Sequence, residues 1–210
     1  MLRHQLVLAP RSASRLVGIV LEGPDTEGGK RYIAGRGRGA SGSYAWGVDG
    51  IFLSPYWVHP KGGPMLRDAT ETGHRSGWFA PTGSATELQS TVAHEFGHHV
   101  VSGFTAHDGM EPDMARQLLP TLLETLGGSD GSATPDLLDP SETVPTERLD
   151  QWVEANRDRL AELVSEYGAS SFHELLAEIW AEYSTMGDEA RPHINIIGRL
   201  MHELAEGKQP

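Results

Sequence analysis

An α+β fold is predicted for this chain of 210 residues: a small mixed or antiparallel N-terminal sheet packed on one helix, then a helical C-terminal half. Three observations predict it. Short apolar and aromatic runs divided by glycine-rich turns occupy residues 15–60. Amphipathic stretches with capping signals fill most of the chain after residue 84. One of them, "TVAHEFGHHV" (91–100), gathers three of the ten histidines. The length suits a single domain with a substantial core.

Taken in order, "RLVGIVLE", "RYIAG" and "SYAWGVDGIFLSPYW" read as strands. The last is a hairpin with its tip in "GVDG" (47–50) and "IFLS" (51–54) returning. Residues 59–84 are rich in turn formers and read as irregular, apart from a short helix around 65–71. Ser84 and Glu87 then spell a capping box, and Leu88, Val92, Phe96 and Val100 recur at helical spacing until Gly103, so a helix is expected over 85–102. A further amphipathic helix, 113–126, stops at Gly127-Gly128, and 128–145 reads as an exposed loop. Thr146 and Glu147 open a helix to about residue 167. Ser171 with Glu174 repeats the capping box and starts a helix to about residue 186, and "RPHINIIGRLMHELAEG" supplies the last. The one domain divides into a β-rich part (1–84), the histidine-bearing helix (85–102), an insertion helix and loop (107–145) and C-terminal helices (146–206).

The net charge of −12 repels phosphate backbones and anionic membrane surfaces, which excludes nucleic acid as the expected partner. The one basic stretch, "GGKRYIAGRGRG" (28–39), reads as a solvated loop. No cysteine is present, so any bound metal is held by nitrogen and oxygen. The apolar run at 6–9 is too short for a signal-peptide core, and no run approaches the ~20 residues of a membrane span. A soluble protein is expected.

His94-Glu95-Phe96-Gly97-His98 spells H-E-x-x-H. Histidines at i and i+4 project from one helix face, so two imidazoles can share a zinc ion at ~2.0–2.1 Å, while the glutamate leans toward a metal-bound water. Gly97 leaves room for close approach beside the site. His99 points about 100° further round the helix and does not join the same site. The longer metzincin pattern is absent, because it requires glycine and histidine where this chain has Val101 and Phe104.

A catalytic zinc takes a third protein ligand, commonly a glutamate from a second helix. "YGASSFHELLAEIWAEY" (167–183) offers Glu174, Glu178 and Glu182 along one face. Phe172, Leu175, Leu176, Ile179, Trp180, Tyr183 and Met186 run beside that stripe, so part of it lies against the protein, where a carboxylate is costly unless paired. The first-turn position favours Glu174 as ligand, with Glu178 one turn on to hydrogen-bond a ligand imidazole; Glu178 or Glu182 in its place stays open.

"HEFGHHV" and "YGASSFHELLAEIWAEY" together resemble the lethal-factor-like zinc peptidases, gluzincins of the kind seen in anthrax lethal factor and beside phage minor capsid proteins. "GWFAPTGSATELQSTVAHEFGHH" is similar to the approach to the zinc helix in the phage-associated members. The likeness covers 78–100 and 167–183, and 43–57 loosely. It implies a zincin-like fold, His94, His98 and Glu174 as zinc ligands, Glu95 as general base, Tyr167 as the phenol that hydrogen-bonds the oxyanion, and Glu178 as a supporting carboxylate. The spacing from His98 to Glu174 is longer than such peptidases typically use, and the excess falls in 107–160. The function expected is zinc-dependent metalloendopeptidase on a protein or peptide substrate, whose backbone pairs with the strand at 51–54. The resemblance also raises association with a phage particle or toxin complex, and the alternative is a structural module there that keeps a zinc site without turnover.

Overall fold

The computed structural model describes residues 2–21, 42–45, 50–106, 109–127 and 142–207, and among these the fold is mixed α+β and mostly helical. It opens with two short helices, α1 (Leu2–Leu8) and α2 (Pro10–Arg15), where the sequence predicts no helix before the strands. A tertiary contact explains them. Gln5 is fully buried, donating from Nε2 to Ser184 Oγ at 2.9 Å and accepting from Trp180 Nε1 at 3.1 Å.

Strands β1 (Gly18–Leu21), β2 (Gly42–Ala45) and β3 (Gly50–Leu53) form the expected mixed sheet in the order β1-β3-β2. β1 runs parallel to β3 with Ile19 opposite Ile51, and β2 runs antiparallel to it with Ser43 opposite Phe52. The "RYIAG" segment, the basic stretch and residues 46–49 of the hairpin lie outside the described residues. β3 is the central strand, paired on both sides, so the expectation that 51–54 receives a substrate backbone is corrected.

The predicted end of that strand is instead a 3-10 turn, Pro55–Val58, in which Ser54 Oγ accepts from Tyr56 N at 3.3 Å. Region 59–84 also differs from expectation. A full helix, α3 (Gly62–Ser76), replaces the short one foreseen at 65–71. Its glycines mark close packing rather than turns: a Cβ at Gly63 would lie 2.7 Å from the Trp57 carbonyl oxygen. His59 Nδ1 accepts from Gly62 N at 3.1 Å at the helix start, and Gly77 ends it in the left-handed region at φ 83°.

α4 (Glu87–Val101) carries the H-E-x-x-H motif. Its capping box is Thr86 with Gln89, two residues later than Ser84 and Glu87: Gln89 N donates to Thr86 Oγ1 at 3.4 Å and Thr86 N donates to Gln89 Oε1 at 2.8 Å. From Ser90 to Val101 every residue except His94 is buried, so α4 runs through the interior with β2 and β3 on one side. Leu88, expected on the apolar ridge, is exposed.

Next come β4 (Thr105–Ala106), β5 (Gly109–Met110) and β6 (Val144–Pro145), an antiparallel sheet that the sequence does not foretell. It pins both ends of the insertion, whose helix α5 (Pro112–Leu126) buries Leu118, Leu119, Leu122 and Leu126 in the core. Residues 107–108 and 128–141 lie outside the described residues. The single helix expected from 146 to 167 is two, α6 (Thr146–Ala155) and α7 (Arg157–Leu163). Asn156 breaks it with φ −114° and ψ 16°, its side chain donating to the Trp152 carbonyl at 2.8 Å. α8 (Phe172–Met186) and α9 (Pro192–Ala205) follow. No described helix is long and apolar enough to cross a membrane.

α8 crosses α4 at Gly97. A Cβ there would stand 2.9 Å from both Cα and O of Ala177 and 3.1 Å from Trp180 Cβ, so only glycine allows the two backbones to come this close. That crossing sets the distance between the histidines of α4 and the carboxylates of α8.

Candidate metal centre

His94 and His98 stand one turn apart on the same face of α4, and Glu174 meets them from the first turn of α8. Ser171 caps α8, accepting from Glu174 N at 3.3 Å, which fixes where that first turn begins. His94 Nε2, His98 Nε2 and Glu174 Oε2 lie 3.1 Å from one another in every pairing. Glu174 Oε2 is buried and makes no aligned hydrogen bond, so the nearby imidazoles approach it without satisfying it. Three lone-pair atoms gathered this tightly repel one another unless a proton or a cation lies among them.

The donor set fits a metal ion. Two imidazole nitrogens and one carboxylate oxygen form the described group able to hold one. Ligand atoms around tetrahedral zinc at ~2.0–2.1 Å stand about 3.3 Å apart, close to the separation in this triangle. The carboxylate-and-imidazole chemistry also admits other divalent ions.

Glu178, one turn after Glu174, is buried against the back of the site. Its Oε1 lies 2.7 Å from His94 Nδ1, and since a carboxylate only accepts, the imidazole proton sits on Nδ1 and Nε2 faces the triangle. Its Oε2 accepts from Ala80 N at 2.5 Å and from Ser165 Oγ at 3.0 Å. Burial works to lower the pKa of His94, but the neighbouring carboxylates of Glu174 and Glu178 more than offset this and raise it well above the ordinary value. Glu174 moves the opposite way: burial works to raise it, and the two histidines hold it well below the usual carboxylate range.

Glu95 is buried on α4 between His94 and His98 in sequence, and Gly42 of β2 lies against it, where a Cβ would stand 2.8 Å from Glu95 Oε1. Tyr167 precedes a 3-10 turn, Gly168–Ser170, that leads into α8. Its ring centroid is 5.6 Å from that of His94 and 6.0 Å from that of Trp78. Burial, followed by the charge of Glu174 and a hydrogen bond to it, pushes the phenol well above its ordinary pKa of 10.0, so it keeps its proton.

His94, His98 and Glu174 thus come together in one group, with Glu178 and Tyr167 against His94 and Glu95 buried on the same helix. Glu182 does not join them: it is fully buried, accepts from Arg191 N at 2.9 Å and from Arg191 Nε at 3.0 Å, and so belongs to an ion pair one turn further along α8. His99 is likewise turned away, with Nε2 donating to the Ser12 carbonyl at 2.7 Å. Sequence reasoning missed the residues that hold Glu178, namely Ala80 and Ser165, and His74 behind Ala80. They sit in irregular backbone or in a helix disguised by glycines, where no periodic pattern points to a contact. Comparison with protein-family models, curated proteins and solved structures finds no match to this chain.

Proposed function

We propose that the protein is a zinc-dependent metalloendopeptidase with a zincin-like fold. The observation that carries the reading is the 3.1 Å triangle of His94 Nε2, His98 Nε2 and Glu174 Oε2, with Glu95 on the same helix and a protonated phenol beside it. Zinc bound there supplies a water of lowered pKa and a Lewis acid for the substrate carbonyl.

The chain's own residues do the rest. Glu95 takes a proton from the attacking water as its oxygen bonds to the peptide carbonyl carbon, then returns it to the leaving amine nitrogen when the C–N bond breaks. Tyr167 donates its phenolic hydrogen to the oxygen that gains negative charge, a role its raised pKa suits because the proton stays in place near neutrality. Glu178 holds His94 in one tautomer and one ring orientation. β2, an edge strand of the described sheet that lies against Glu95, takes over the substrate-pairing role expected of 51–54.

Glu95→Gln keeps the size and polarity of the side chain but removes its basicity. The variant is expected to bind zinc one to one while peptide-library cleavage falls by at least about a hundredfold. Cleavage at the parental rate would refute the mechanism.

A further inference from the structure

We infer that the strap of residues 77–80, between α3 and α4, positions both the Tyr167 phenol and the His94 imidazole, and that His74 is the positioning residue that anchors it. The inference rests on the reading of His94, His98 and Glu174 as metal ligands.

The strap is hydrogen-bonded to the site on two sides. Gly77 O and Trp78 O accept from Glu166 N at 3.0 Å and from Tyr167 N at 2.8 Å, so the backbone that bears the phenol hangs from it. Two residues on, Ala80 N donates to Glu178 Oε2, whose other oxygen orients His94 Nδ1. A displacement of the strap therefore moves the phenol and the support of a ligand together.

Besides bonds from Phe79 N to the Gly73 carbonyl at 3.2 Å and from Trp78 N to Ser76 Oγ at 3.4 Å, the strap is held at its far end by a side chain from the last turn of α3. His74 Nδ1 lies 2.7 Å from the Ala80 carbonyl, which can only accept, so the ring donates there. Its Nε2 lies 3.1 Å from Ser90 Oγ on α4, and Ser90 is buried one turn before His94 on the same helix face. The ring thus spans the gap between strap and metal-binding helix at a fixed width. It also packs on Phe79, with centroids 5.6 Å apart. Hydrogen bonding and packing give opposite expectations for two substitutions.

His74→Phe keeps the ring and its contact with Phe79 but removes both polar atoms; His74→Asn gives up the ring and keeps a donor for the Ala80 carbonyl. Zinc affinity by chelator competition and the visible spectrum of the cobalt(II)-substituted protein are the readouts, with folding checked by circular dichroism. His74→Phe is expected to weaken zinc binding by about tenfold or more and to alter the cobalt spectrum, as loss of a group that orients a metal ligand does elsewhere. His74→Asn is expected to stay within about threefold of the parent. The reverse order, or no change in either variant, overturns the inference. Should His74→Phe not fold, Ser90→Ala, which removes the second anchor of the ring, must weaken zinc binding severalfold, and parental affinity in that variant overturns it. A parent protein that binds no zinc would instead sink the metal-centre reading beneath it.

Discussion

At the scale of single residues, three glutamates at identical helical spacing meet three fates. Glu174 faces the histidines, Glu178 turns to their rear, and Glu182 is neutralised by Arg191. Alanine at 174 is expected to abolish stoichiometric zinc binding, while Glu182→Ala keeps zinc and costs about 3 kcal/mol of stability by stranding the arginine, read as a lowered unfolding midpoint in urea. The protons of the site add a second expectation. His94, raised above 6.5 in the metal-free fold, contributes stability that is complete below that value and is lost as pH rises through its folded pKa. Glu174, lowered from 4.5, contributes stability above that value that is lost as pH falls through its folded pKa. The metal-free cluster is therefore most stabilising at mildly acidic pH, where His94 is charged and cannot bind metal. Zinc affinity measured by competition should fall steeply from pH 7.5 to pH 5.5, and a flat profile would contradict a histidine-held metal.

At the scale of elements, the crossing of α4 and α8 at Gly97 fixes the site. Gly97→Ala is expected to cost about 1–3 kcal/mol, since the added methyl must push against the Ala177 backbone. Because the crossing sets the reach from His94 and His98 to Glu174, zinc affinity should fall with it; calorimetry that finds stability lowered and zinc binding unchanged would show the two to be separable. The elements also show what was legible. α4, α5, α8 and α9 announce themselves through apolar periodicity and caps, and the structure keeps them within one or two residues of expectation. α3 was hidden because its glycines, read as turn formers, serve close contact with Tyr56, Trp57 and Phe79. α1 was hidden because it depends on Gln5 reaching Trp180 and Ser184 far along the chain.

For the whole molecule, the candidate metal-binding group sits on two helices of the core, so a metal bound there would be linked to the fold. Phe96, Val100 and Trp180 are buried in the same cluster that takes in α5 and α9. Free zinc at a hundred times its dissociation constant should stabilise the native chain by about 2.7 kcal/mol, a rise of several degrees in the thermal midpoint that a chelator reverses. A midpoint indifferent to zinc and chelator would speak against the site.

By itself the sequence determined part of the local content: that α4, α5, α8 and α9 are helical, and that two histidines and a glutamate share one turn, because these follow from spacing along a helix of known pitch. It also placed a carboxylate stripe and a tyrosine on a second segment. Only the tertiary structure decided which glutamate faces the histidines, that Gly42 of β2 lies against Glu95, and that the strap beside α3 is hydrogen-bonded to both Tyr167 and Glu178. Those outcomes depend on how closely two backbones approach at Gly97 and on hydrogen bonds between residues distant in sequence, and neither leaves a periodic trace in the chain.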